Sequence, residues 1–216
     1  MPPDLILFDF SGTLARFNFK PKSFFSKLSD FGINVKDEQK AKEIFDFISH
    51  LIGFCQNWEE VGESFLQKYI LNPPKTLIKK IAKVFEKEVN FVLFPDAKYA
   101  FSLPVKKAIL SGNSRFIIES AGVPKSVKIF TPAETKYVKP DLRSFLVPLK
   151  DFKIEPERTL MVGDEIERDL IPAKKLGMEA ILIDRENKFL NPPVKKIKSL
   201  KELKEIFTIK LQIGSF

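Results

Sequence analysis

The sequence predicts an α/β protein: a doubly wound parallel sheet with a block of helices inserted after its first strand. Two observations carry this reading. Short apolar runs bounded by turn residues recur along the chain, and helical patterns lie between them, as expected of buried parallel strands and their crossover helices. One long stretch, from about Pro21 to about Val89, shows helical periodicity alone. At 216 residues the chain can bury a sizeable core and still carry a smaller insert.

The elements follow in order. Leu5-Ile6-Leu7-Phe8 is an uninterrupted apolar run and reads as the first strand. Phe24, Phe25, Leu28 and Phe31 then recur at helical spacing. So do Ile44, Phe45, Ile48 and Leu51, then Val61, Phe65 and Tyr69, then Leu77, Ile81 and Val84. Asn72-Pro73-Pro74 breaks the third pattern from the fourth, with Pro74 or Lys75 opening the last helix. The sheet resumes with Lys107–Leu110, a weaker run Val127–Phe130, then Thr159–Val162 and Ala180–Ile183. Helices are expected at Ser114–Ala121, Arg143–Phe152, Asp169–Leu176 and Leu200–Phe207. The expected division is a discontinuous sheet domain, residues 1–16 and 91–216, with a helical domain at 17–90. Right-handed crossovers place all strand C-termini on one edge, where ligands bind, and a helical insert beside that edge can act as a lid.

Composition narrows the chemistry. A single cysteine, Cys55, excludes an internal disulfide and an all-cysteine metal site. A single histidine, His50, excludes paired-histidine zinc motifs. No apolar run approaches the ~20 residues of a membrane span. No basic stretch followed by an apolar run is found after Met1, so a cytoplasmic protein is expected. The net charge is +8, yet the segment from Lys188 to Lys210 alone carries +5 of it. Only six of the 36 basic residues are arginines, against the arginine forks typical of nucleic-acid readers. A solvated lysine-rich helix is the expected origin of the charge, with no nucleic-acid partner. A monomer or a homodimer is expected.

The chemistry-bearing residues cluster at the strand ends. Asp9-Phe10-Ser11-Gly12-Thr13 follows the first strand, and Ser111-Gly112-Asn113 follows Lys107–Leu110. Lys139-Pro140-Asp141 precedes a helix, and Gly163-Asp164 follows Thr159–Val162, with Asp169 five residues beyond Asp164. A carboxylate at a strand tip can serve as a nucleophile or a magnesium ligand. Hydroxyls and backbone N–H groups at a helix start suit phosphate oxygens, and a lysine balances their charge.

These segments resemble the four motifs of the haloacid dehalogenase-like superfamily of hydrolases, in order and in strand context. Asp9-x-Ser11-Gly12-Thr13 is similar to the first motif, Ser111 to the second, Lys139-Pro140 to the third, and Gly163-Asp164 with Asp169 to the fourth. The resemblance covers residues 1–16 and about 91–190. It implies a Rossmann-like catalytic core with the helical insert as a cap domain. It further implies a Mg²⁺-dependent phosphohydrolase acting on a small phosphorylated metabolite. Asp9 would attack phosphorus and become an aspartyl phosphate. Asp9, Asp164 and the carbonyl of Ser11 would hold Mg²⁺. Gly12, Thr13, Ser111, Gly112, Asn113 and Lys139 would surround the phosphoryl group, and Asp169 would orient Lys139 or a metal-bound water.

One position departs from that pattern. The phosphatases of the superfamily usually have a second Asp two residues after the nucleophile, as acid to the leaving group. Here the position is Ser11, whose hydroxyl is too weak an acid for that role. Three readings remain: a substrate with a good leaving group, a proton supplied from the helical insert, or a slow or idle enzyme. His50 is a candidate for the second of these. A 2-haloacid dehalogenase and a non-catalytic phosphoryl-binding protein are the alternatives. Further candidates are Arg16 and Arg115 as anion contacts, and Phe10, Phe17 and Phe19 as pocket walls. Lys136 stands in for Lys139 if the third motif is shifted.

Overall fold

The computed structural model describes residues 2–205. The chain forms two compact units. One takes the residues up to Arg16, Leu93–Gly112 and those from Gly122 onward; the other takes Phe17–Val92 and Asn113–Ala121. The helix Arg115–Ser120, read from sequence as part of the sheet domain, groups with the helical unit.

Eight strands are described: β1 (Leu5–Phe8), β2 (Ala15–Phe19), β3 (Val89–Leu93), β4 (Lys106–Leu110), β5 (Lys128–Phe130), β6 (Thr159–Gly163), β7 (Glu179–Ile183) and β8 (Lys195–Ile197). Six of them form one sheet in the order β5-β4-β1-β6-β7-β8, every neighbouring pair parallel. From β1 the sheet grows outward through β4 and β5, then returns to the other side of β1 at β6. The end of β1 therefore lies at the switch point of the winding, where a crevice opens. The strands are buried because each is a run of branched or aliphatic residues with both faces covered. Leu5, Leu7, Leu110, Met161 and Leu182 pack with Phe145 and Leu149 of the helix Leu142–Phe152.

The structure departs from the sequence reading at two places in the sheet unit. The edge strand β8 was not expected, since Lys195-Lys196-Ile197 offers one apolar side chain and its pairing comes from β7. The segment read as a helix over Asp169–Leu176 starts earlier, as a π-helical turn at Ile166–Leu170 that runs into an α-helix at Ile171–Lys175. In the lysine-rich tail, helix is found at residues 201–205, and the expected continuation through Phe207, like Lys210, lies outside the described residues. One tail lysine anchors rather than solvates: Lys196 Nζ donates to Asn187 Oδ1 at 2.9 Å and to the Phe189 carbonyl at 2.5 Å.

The helical unit contains Pro21–Leu28, Glu38–Phe54, Trp58–Gln67 and Lys75–Glu88, one helix for each apolar pattern. Asp37 and Asn57 cap the second and third, accepting from the N–H groups of Lys40 (2.7 Å) and Glu60 (2.9 Å). β2 and β3 pair as a separate two-stranded sheet and carry two of the four chain crossings between the units, at 16/17 and 92/93. Neither strand was expected from the sequence, although Phe17 and Phe19 alternate with polar residues as strand residues do. Both rings join an aromatic cluster: Phe17 packs on Phe45 and Phe91, and Phe19 on Phe24, Phe25 and Phe45. Of these rings Phe24 and Phe91 are buried, each contributing ~1.5–3 kcal/mol, and Phe17, Phe19, Phe25 and Phe45 are half-buried beside them.

Candidate active site

Register brings the motif residues to one edge. Phe8 of β1 lies opposite Ile109 of β4 and Val162 of β6. Asp9 is thus one residue past the end of β1, and Ser111 and Asp164 are each two residues past their strands' matching positions. The Asp9 N–H donates to the Val162 carbonyl (2.9 Å) and the Ser111 N–H to the Phe130 carbonyl (3.0 Å), so both backbones continue the sheet before their side chains leave it.

Lys139 reaches this edge from a short, heavily bonded loop. Thr131 starts the turn Pro132–Thr135 with a capping box closed by Glu134. Thr135 Oγ1 then donates to the Tyr137 carbonyl at 2.6 Å, and Asp141 caps the next helix by accepting from the Arg143 N–H at 2.9 Å. Between these fixed points Lys139 turns inward and is 6% exposed. Its Nζ donates to Asp9 Oδ1 at 2.5 Å and to Asp169 Oδ1 at 2.6 Å. Lys136 is exposed, and its Nζ is on the Ala133 carbonyl, so it does not take this place. Asp169 also accepts from the Glu165 N–H at 3.2 Å. It is 1% exposed and bridges the lysine to the loop that carries Asp164.

Asp164 is held from the other side. Thr13 Oγ1 donates to Asp164 Oδ1 at 3.1 Å. Gly12 has φ +83°, and a Cβ there would stand 2.1 Å from Asp164 Oδ2, so conformation and space both require glycine. A Cβ on Gly163 would likewise stand 2.3 Å from Asp169 Oδ2. The two glycines make room for the carboxylates beside them.

Oxygens of Asp9, Asp164 and Asp169 all lie within 4.8 Å of one another. Burial raises the Asp9 carboxyl; Lys139 opposes this, and the charges of Asp169 and Asp164 add to it, leaving the group pushed up to about 7. Burial and then the Asp169 charge raise Asp164 to about 6, against the Thr13 hydroxyl that donates to it. Burial alone would lower the Lys139 ammonium, but Asp9 and Asp169 beside it push it up to about 12. With all three carboxylates ionised against one ammonium, the cluster has two negative charges in excess. That excess equals the charge of one divalent cation, and an all-oxygen donor set suits a hard one. The residues present therefore fit a hard divalent cation, and Asp9, Asp164 and Asp169 are the carboxylates that could hold it.

The remaining expected residues fall as follows. Ser11 is partly exposed in the turn after Asp9, bridged to Ala15. Ser111 is buried and Gly112 partly exposed at the end of β4. Asn113 groups with the helical unit. Phe10 is fully buried, and Phe17 and Phe19, half-buried, belong to the aromatic cluster. Arg16 is exposed, and Arg115 lies 3.7 Å from Glu119 on its own helix. His50 is exposed and stacks on Phe54 at 4.8 Å, while Cys55 is buried in the same helical unit. The sequence reading passed over Arg185 and Arg168. Arg185 lies two residues past the end of β7, after Asp184, and that place beyond a strand end was the available signal. Arg168 has a guanidinium nitrogen 3.6 Å from where a Cβ on Gly112 would be.

Among the described residues no helix is long and apolar enough to cross a membrane. The family model described as haloacid dehalogenase-like hydrolase matches residues 3–177. A segment of 59 residues is 36% identical to a glyceraldehyde 3-phosphate phosphatase of Methanothermobacter thermautotrophicus, covering 27% of this chain and 26% of that protein. Solved structures share the fold at low identity. A HAD phosphatase from Thermococcus onnurineus superposes with TM-score 0.63 at 21% identity, covering 96% of this chain and 98% of that one. A 2-haloacid dehalogenase from Pseudomonas syringae gives 0.69 at 17% identity, covering 97% and 100%. A HAD-hydrolase from Bacillus subtilis, described as bound to magnesium, gives 0.62 at 19% identity, covering 95% and 99%.

Proposed function

The chain belongs to the haloacid dehalogenase-like hydrolases, and from that premise we propose that it is a Mg²⁺-dependent phosphohydrolase of small phosphorylated metabolites. The reaction passes through an aspartyl phosphate on Asp9 and favours substrates with a good leaving group. The observation that carries this reading is the buried cluster in which Lys139 holds Asp9 and Asp169 while Asp164 stands within 4.8 Å of both. Dehalogenation of a haloacid needs a nucleophilic carboxylate but no cluster with two negative charges in excess. The short similarity to a glyceraldehyde 3-phosphate phosphatase also favours phosphoryl chemistry.

The residues divide the work. Lys139 takes one oxygen of Asp9 and fixes the carboxylate's orientation, and it stays charged throughout the neutral range because its pKa is pushed up to about 12. The other oxygen of Asp9 attacks phosphorus in line with the leaving group. Thr13 and the space left by Gly12 set the position of Asp164. Asp9, Asp164 and the Ser11 carbonyl would hold Mg²⁺, whose charge allows an anionic carboxylate to meet an anionic phosphate. The Ser111 hydroxyl and the Gly112 N–H receive the phosphoryl oxygens at the end of β4. Ser11 gives the leaving group no efficient acid, so the departing oxygen leaves with its own electron pair, which suits acyl or aryl phosphates. Water then hydrolyses the aspartyl phosphate and returns Asp9.

The test is phosphate release from p-nitrophenyl phosphate, acetyl phosphate and glyceraldehyde 3-phosphate, each with Mg²⁺ and with EDTA, beside halide release from 2-chloropropionate. The expected result is Mg²⁺-dependent phosphate release, fastest on the first two and abolished by EDTA. Halide release without phosphate release would replace the reading by dehalogenation. Neither product would favour a binding protein. A second variant probes the leaving group. Ser11→Asp should raise kcat/KM on glyceraldehyde 3-phosphate by ~10²-fold and on acetyl phosphate far less, because only the alkoxide needs a proton. Equal effects on both substrates would show that leaving-group protonation is not what Ser11 limits.

A further inference from the structure

Arg185 is joined to the turn that carries the first motif by an uncommonly complete set of bonds. Its Nη2 donates to the Thr13 carbonyl at 2.7 Å, and its Nε points to the Gly12 carbonyl at 3.4 Å. On its other edge the guanidinium forms a fork with Asp96, Nη1 to Oδ2 at 2.9 Å and Nη2 to Oδ1 at 3.1 Å. Its face lies 3.7 Å from the ring of Phe94, whose N–H donates to the Leu14 carbonyl at 2.9 Å. Asp96 is itself fixed, accepting from Ser199 Oγ at 2.8 Å and the Leu200 N–H at 3.0 Å. The two side chains are 19% and 15% exposed, so the pair is shielded from bulk water and from salt screening.

The same turn holds the groups next to the carboxylate cluster. Thr13 donates to Asp164, and Gly12 is the residue whose missing Cβ admits the Asp164 carboxylate. The turn's internal bonds are few: Gly12 N–H to the Ala15 carbonyl, and Leu14 and Ala15 N–H groups to the Phe10 carbonyl. The Thr13 carbonyl is fixed from outside the turn, by Arg185. A lysine could not do the same, since a point charge lacks the fork needed to bond Asp96 and the carbonyls together.

We propose that Arg185, oriented by Asp96, is a positioning residue for the metal-binding edge: it holds the Gly12–Thr13 backbone where Thr13 and Gly12 place Asp164. The inference rests on the proposed metal-dependent reading of the site, and it assigns a function to a residue after β7 and to one on the chain's return to the sheet that the four motifs leave out. Outer groups that orient ligands typically change metal affinity by ~10–100-fold when removed.

The test uses calorimetric titration of the full chain with Mn²⁺ alone, beside thermal unfolding. Arg185→Ala, Arg185→Lys and Asp96→Asn are compared with Arg158→Ala. That control breaks the Arg158–Asp4 pair, bonded at 2.6 Å and placed before β1, far from the strand tips. The expected result is a Mn²⁺ dissociation constant raised ~10-fold in all three variants, unchanged in Arg158→Ala, with Arg185→Ala/Asp96→Asn no weaker than Arg185→Ala within a factor of about two. A wild-type constant in Arg185→Lys and Asp96→Asn, whatever their melting temperatures, would overturn the proposal. So would a wild-type chain with no saturable Mn²⁺ binding. Failure of the hydrolase reading would show separately, as a wild-type chain that binds the metal yet releases no phosphate. If Arg185→Ala does not fold, the other two variants still decide.

Discussion

Asp9→Asn is expected to lower kcat for Mg²⁺-dependent phosphate release by at least ~10⁴-fold while the protein stays folded. Loss of a covalent nucleophile commonly costs that much or more. Asparagine has the shape of aspartate and can still accept from Lys139. It also removes a carboxyl that burial and like charge push up to about 7. The fold should therefore lose little, and the melting temperature measured alongside the rate separates chemistry from unfolding. Turnover within tenfold of wild type would remove Asp9 from the nucleophile's place.

Lys139→Met is expected to have the largest effect on stability. Its ammonium is the basic partner of both Asp9 and Asp169, at 2.5 Å and 2.6 Å, and neither carboxylate can turn to water from its buried position. Removing one member of a buried charge set typically costs ~3–5 kcal/mol, because the groups left behind stay desolvated and unpaired. Chemical denaturation in EDTA should show that loss, and kcat should fall with it. The double variant Lys139→Met/Asp169→Asn should recover part of the stability but not the activity. Stability equal to wild type in Lys139→Met would mean that the lysine does not compensate these carboxylates.

The sheet was legible because parallel strands buried on both faces write themselves as apolar runs. Leu5–Phe8 and Thr159–Val162 are examples, and their C-terminal residues fall at the expected edge. The four insert helices were legible from periodicity. Strands β2, β3 and β8 were not. Their pairing is decided by a neighbour rather than by their own pattern, and Lys195-Lys196-Ile197 has almost no apolar content. Asp9, Lys139, Asp164 and Asp169 were found because each sits in a recognisable strand-tip motif, and the structure brings all four together. Asp96 and Arg185 were missed because they pair with each other across 89 residues of sequence, and their other partners are as distant: backbone carbonyls for Arg185, the Ser199 hydroxyl and Leu200 N–H for Asp96. Such a contact leaves no motif in the sequence, only the place of Arg185 beyond a strand end. The helical insert shows the same limit: its rings specify a core, and core-forming residues do not name a substrate.

In the proposed reaction the phosphoryl group leaves the substrate through Asp9. The direct measurement is a rapid acid quench of the enzyme turning over acetyl phosphate with Mg²⁺, followed by peptide mass analysis. The account requires one phosphoryl group on Asp9, labile to hydroxylamine as an acyl phosphate is, and absent when EDTA replaces Mg²⁺. Phosphate release with no phosphoryl group on Asp9, in a quench fast enough to sample the steady state, would contradict it.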